Sequence, residues 1–268
     1  MLLSHISKPE YMAINALLMI LEDYKERAKK SYTYADEVGA YVNLITLVLP
    51  EEEFYRAFCS AYGLKKTKWG YDKKARAVAL EALKKLDERR YTVPLRLVAK
   101  VGEIAIKNVE RVRLVEMVHE TKTTYEGNNV LKGEGSHITL KLHWVLTYGI
   151  DDFYTLRRRD KNAIIASHAK TRKEVYAVIR LTDFLETLDL NSVKFSEQKL
   201  AQIIGCKSLL KDRKRKQLQK RIERTLELTK ESGWISNYKR DGDTYVLTLN
   251  PEFCCRVGKG NKLQKRTK

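Results

Sequence analysis

The side chains of this chain that can do chemistry are mostly cations, with one amide among them. Arg213, Lys216, Gln217, Lys220 and Arg224 recur at steps of three and four. On a helix turning about 100° per residue they share one side, while Leu218, Ile222, Thr225, Leu226 and Thr229 share the opposite one. Between Lys207 and Arg224 nine Lys or Arg stand against two acids, Asp212 and Glu223. Guanidinium and ammonium groups neutralise phosphates, Arg reads the guanine edge in the major groove, and Gln reads adenine. Gln217 is the informative member, because an amide adds selectivity where a lysine adds only charge. Further on, Lys239 and Arg240 precede Asp241-Gly242 and can reach a phosphate backbone from a turn.

Catalytic constellations are missing from the same residues. The chain has no GxxxxGK[ST], no GxGxxG after a strand, no HExxH and no GxSxG. His137 and His143 fall on one β-like run with His119 on a neighbour, but the six-residue spacing separates the pair by about 20 Å along a strand. No His-apolar-His triplet accompanies the fifteen tyrosines, and Tyr238 and Tyr245 read as packing and phosphate-contact residues. Cys59, Cys206, Cys254 and Cys255 lack CxxC spacing, so they read as reduced thiols without a structural zinc. Glu51 to Glu53 and Asp151-Asp152 suit helix starts. The expectation is a non-enzymatic protein with no metal and no cofactor.

The elements that must position the basic side chains follow from the flanking sequence. Val193 to Phe195 is β-like, Ser196 can cap a helix to Ile204, and Gly205-Cys206 breaks it. One long basic helix is predicted over Leu210 to Ser232, ended by Gly233. Trp234 to Lys239 and Thr244 to Leu249 then alternate as strands about the turn Arg240 to Asp243. A basic helix alone is also what a solvated face looks like. Helix, turn, basic helix and hairpin together read as a winged helix, with the hairpin as the wing.

The first half shows the same order. A helix is predicted from Pro9 to about Lys30, a strand over Val42 to Leu49, and helices from Pro50 to Tyr62 and Tyr71 to Arg90. Strands follow over Thr92 to Ala99, Val112 to Glu120 and His137 to Leu146, the last two separated by a polar stretch from Thr121 to Gly135. On the last of these helices Lys73 and Lys74 point outward with Lys84, but Glu81 beside them would repel phosphate, making this the weaker reader. A long helix, Arg172 to Leu188, opens the second half. Before it Arg157, Arg158, Arg159 and Lys161 cluster, with a short helical piece from Asn162 to Ala169 that could lie across a minor groove.

The fold class expected is α+β, as two tandem winged-helix domains: residues 1–155, residues 156–256, and a basic tail over 257–268. At 268 residues, 43% of them apolar, the chain can bury two cores, and its formal charge of +18 points to a polyanion. No apolar run of about 18 residues and no secretory leader pattern is present, so the expectation is an intracellular protein with no membrane partner.

With this plan in view the chain resembles the replication initiator (Rep) proteins of iteron-containing plasmids. Phe54 to Leu64 (FYRAFCSAYGL) followed by Lys74 to Leu86 (KARAVALEALKKL) carries the likeness in the first half. Arg172 to Leu188 (RKEVYAVIRLTDFLETL) followed by Phe195 to Trp234 carries it in the second. Lys173 to Tyr176 stands where the family commonly has an Arg-Leu-Tyr-Glu-like phrase. The resemblance implies sequence-specific binding of double-stranded DNA at repeated origin sites, a homodimer partner, host replication proteins and repression of the protein's own promoter. A winged-helix transcriptional regulator or partition-type protein is the alternative reading.

Overall fold

Amphipathic helices and short strands build an α+β chain in the computed structural model, which describes residues 6–28, 44–64, 72–95, 108–121, 137–143, 146, 158–188, 190–211 and 214–254. The chain divides into two compact units, one of residues 1–58 and 66–147, the other of residues 59–65 and 148–268. No described helix is long and apolar enough to cross a membrane.

In the first unit α1 (Lys8–Ala28) precedes β1 (Leu44–Pro50), α2 (Glu51–Ala61), α3 (Lys73–Glu88), β2 (Arg90–Leu95), β3 (Asn108–Arg113), β4 (Val115–Thr121) and β5 (His137–His143). Pro9 opens α1 with help from a reciprocal cap: Ser7 donates its backbone N–H to Glu10 Oε2 at 2.7 Å, and Ser7 Oγ lies 3.5 Å from the Glu10 amide. The Glu10 carboxylate is buried and also accepts from Tyr91 Oη at 2.9 Å and Arg89 at 3.1 Å, fastening α1 to the start of β2. Met12, Leu17 and Leu21 of α1 face inward with Ala79, Leu83 and Leu86 of α3. β5 lies between β1 and β4, antiparallel to both, and β2 pairs with β3.

The single strand expected over Val112 to Glu120 is two strands in different sheets. Leu114 and Val115 are consecutive and both buried. One strand would send them to opposite faces, so the chain turns between them. Of the polar stretch expected after this strand, residues 122–135 lie outside the described residues.

In the second unit α4 (Arg158–His168), α5 (Arg172–Leu185), β6 (Ser192–Ser196), α6 (Glu197–Ile203), α7 (Lys207–Lys211), α8 (Arg215–Glu231), β7 (Ile235–Asp241), β8 (Thr244–Leu249) and α9 (Pro251–Cys254) follow in order. Thr171 and Glu174 form a full capping box at the start of α5. Ser196 caps α6 by accepting from the Lys199 amide at 3.2 Å. α5 is buried along Val175 to Thr182, where it packs against α4, α6 and α8. β8 lies between β6 and β7, antiparallel to both. In each unit, therefore, the first described strand pairs with the last, and that last strand is central.

The long helix expected from Leu210 to Ser232 is interrupted. α7 stops at Lys211, and Lys214 stands at φ −87°, ψ 51° before α8 begins. The reason lies in the apolar spacing. Leu209 and Leu218 are nine residues apart, which on one continuous helix would place them about 180° apart. The break lets Leu209 and Leu210 be half-buried while Leu218, Ile222 and Leu226 stay in the core. No side chain caps α8, which is why the sequence carries no start signal at Lys214.

Candidate nucleic-acid interface

α8 is the longest helix of the second unit, and its side chains separate into three longitudinal sets. Leu218, Ile222, Thr225, Leu226 and Thr229 are buried. A second row, Arg215, Gln219, Glu223 and Glu227, recurs every four residues and meets α6, β7 and the β7–β8 turn. Arg215 Nε donates to Glu197 Oε1 at 3.3 Å and its Nη2 pairs with Asp243. Gln219 Nε2 donates to Glu197 Oε2 at 3.0 Å. Arg240 Nη1 reaches Glu223 Oε1 at 3.4 Å, and Tyr238 Oη donates to Glu227 Oε2 at 3.1 Å. The third row, Lys216, Gln217 and Lys220, is exposed and pairs with no described residue.

The remaining predicted residues divide in the same way. Lys239 is exposed on β7 and pairs with no described residue. Arg240 beside it donates Nε to the Gly242 carbonyl at 3.0 Å, approaches Glu197 Oε2 at 3.9 Å and lies 5.7 Å over the Tyr245 ring. Arg224 is turned toward α5, its Nε donating to Glu174 Oε1 at 3.1 Å and its Nη1 lying 3.9 Å from Glu231. Arg213 lies outside the described residues, as does Arg157.

Arg158, expected to lie on an outer basic stretch, is buried, with its guanidinium 3.3 Å from Asp183. Lys161 is more deeply committed: fully buried, it pairs with Asp183 and with Glu186 Oε2 at 2.7 Å. Glu186 also accepts from Trp234 Nε1 at 2.9 Å. Burial pushes the Glu186 carboxyl above its ordinary range, and the neighbouring Lys161 charge opposes that rise. Arg158 and Lys161 thus supply ionic anchors for α4, and Arg159 alone of Arg158 to Lys161 is an exposed cation.

In the first unit Lys73 and Lys74 are exposed at the start of α3, where Asp72 accepts from the Lys74 amide at 3.1 Å. Farther along the same helix Lys85 pairs with Glu81 at 3.2 Å, leaving a surface of mixed sign.

Tyr245 is fully buried, so its expected role as a phosphate contact gives way to packing. Burial raises the pKa of both Tyr238 and Tyr245. Among the described residues no group of three His, Cys, Asp or Glu is placed to hold a metal ion.

Sequence reasoning missed the row Arg215, Gln219, Glu223 and Glu227, and it missed Glu197. The signal was present: a four-residue recurrence of polar side chains beside the apolar one. It was hidden by sorting the helix into two sides only, an apolar one and a basic one. Comparison with protein-family models, curated proteins and solved structures gives no match to this chain.

Proposed function

We propose that this protein binds double-stranded DNA by sequence, through tandem winged-helix domains of which the second is the reader. In this reading the first half of α8 enters the major groove, Gln217 and the Lys216 and Lys220 beside it face base edges, and the β7–β8 hairpin brings Lys239 to a flanking phosphate. The observation that carries the proposal is the sorting of cations on α8. Arg215 and Arg224 on its other faces are tied to carboxylates, while Lys216 and Lys220 stand exposed on either side of an exposed amide. The pairing of the first described strand with a central last one in both units supports the tandem plan. The replication-initiator reading rests on that plan and on the resemblance of the four segments quoted above. It brings with it a homodimer, host replication proteins as partners and an intracellular place of action.

Selection from a random-sequence duplex pool at about 150 mM salt tests this, because purely electrostatic binding is weak there. The expected result is one enriched motif, bound less selectively by Gln217→Ala with little change in salt dependence. Lys239→Ala weakens binding to every duplex alike. Recovery of no motif by the wild-type chain would overturn base reading. Footprinting on DNA carrying the motif then separates an initiator, which protects several evenly spaced direct repeats, from a regulator, which protects one palindrome.

A further inference from the structure

Glu197 is the first residue of α6, yet its carboxylate belongs to three elements. It is buried, with its backbone N–H donating to the Asp243 carbonyl at 2.8 Å, so the turn between β7 and β8 is fixed to the start of α6. Its two oxygens take Arg215 at 3.3 Å and Gln219 at 3.0 Å from α8, with Arg240 of β7 at 3.9 Å. Asp243 and Glu223 complete the set by pairing with Arg215 and Arg240 respectively. The two arginines remain accessible: Arg215 is 57% exposed and Arg240 36%. Two reachable guanidinium groups are thus engaged by three carboxylates at the place where helix and hairpin meet.

We infer that Glu197 is a positioning and specificity-determining residue, which withholds Arg215 and Arg240 from indiscriminate phosphate contact and holds the hairpin at a fixed distance from α8. The inference rests on the DNA-binding reading above. A phosphate that approaches Arg215 must displace Glu197 and Asp243, and one that approaches Arg240 must displace Glu223. Both arginines therefore add little to non-specific affinity. Lys216, Lys220 and Lys239, with no carboxylate to displace, supply it. Base preference benefits, because the non-specific background falls while the exposed row of α8 is unchanged. Gln219 donates to the same carboxylate, which keeps Glu197 engaged when Arg215 moves.

The test is a salt titration on a mixed-sequence 30-base-pair duplex between about 50 and 200 mM NaCl. Each added phosphate contact steepens the dependence of log K on log salt by about 0.9, about a threefold change across that range. Glu197→Gln is expected to bind this duplex more tightly at low salt with a slope steeper by about 1 to 2. Asp243→Asn, at an exposed turn where folding is not at stake, removes one of the two carboxylates on Arg215, leaves those on Arg240 in place and is expected to steepen it by about half as much. Arg215→Gln placed in the Asp243→Asn chain should return the slope to the wild-type value. An unchanged or shallower slope in Glu197→Gln overturns the inference, as does a steeper slope in Asp243→Asn that survives Arg215→Gln. If the wild-type chain shows no salt-dependent binding to the duplex, the DNA-binding reading itself fails, an outcome distinct from wild-type binding with unresponsive variants.

Discussion

Lys161 has no contact with water, and its ammonium is held between Asp183 and Glu186. Taking charges out of water is costly, and a buried pair that loses one partner leaves the other uncompensated. Lys161→Ala is expected to lose about 3–5 kcal/mol in urea unfolding. Adding Glu186→Gln should recover part of that loss, since the Trp234 indole keeps an amide oxygen to bond. Glu174 gives a gentler case. Burial alone would raise its pKa, but Arg224, the amides of Lys170 and Thr171 and the Thr171 hydroxyl together hold it below the ordinary carboxylate range. A lowered folded pKa means that Glu174 stabilises fully above its unfolded value and that this stability is lost as pH falls through the folded one. Glu174→Ala is expected to cost about 1–2 kcal/mol at pH 7. The gap from wild type should close below about pH 4, which a series of urea melts from pH 7 to 3 measures. Neither role was legible in the sequence. Lys161 and Arg158 belong to a basic run that looks like surface, and Arg224 has the right helical phase to face outward. What decides is which acid stands opposite, and Asp183 and Glu186 are more than twenty residues away.

Elements were more legible than residues wherever a local signal ends them. Ser196 as a cap, Gly205 as a stop and Gly242 in the hairpin can all be read from neighbours, because each meets a backbone need that few residue types satisfy. Gly205 and Gly242 both have positive φ, at 76° and 59°. Their surroundings differ, and so should their tolerance of a side chain. A Cβ at Gly205 would come within 2.9 Å of the Tyr176 ring, whereas at Gly242 it meets nothing within 4 Å. Gly242→Ala is expected to cost about 1–2 kcal/mol from the left-handed backbone alone. Gly205→Ala should cost clearly more, and thermal melts of the two variants side by side would show the order. Equal losses would mean that Tyr176 swings away freely. The break at Lys214 and the turn at Leu114 lacked such signals. Both are imposed by tertiary packing that needs neighbouring apolar residues on one side, something visible only once helical phase or strand parity is followed across the whole segment.

At the scale of the molecule, a formal charge of +18 sets cation against cation. The ion pairs at Glu174, Glu186 and Glu197 relieve this locally, but self-repulsion remains and salt screens it. The melting temperature is expected to rise between about 10 and 150 mM NaCl, and a fall would mean that exposed ion pairs outweigh the repulsion. The α+β class was legible because helix and strand periods are written in local sequence. The identity of the exposed cations was not, since it depends on how many carboxylates the fold brings back to α8. β8 has a further consequence. It is paired with β6 from Thr244 to Thr248 and with β7 from Thr244 to Leu249, so the hairpin is backed by a third strand to its turn. A ribbon held in this way has little conformational freedom to lose when it docks. If DNA is bound as proposed, association through it is expected to be a rigid-body event whose heat capacity change, followed by titration calorimetry at several temperatures, matches the surface buried with no contribution from coupled folding.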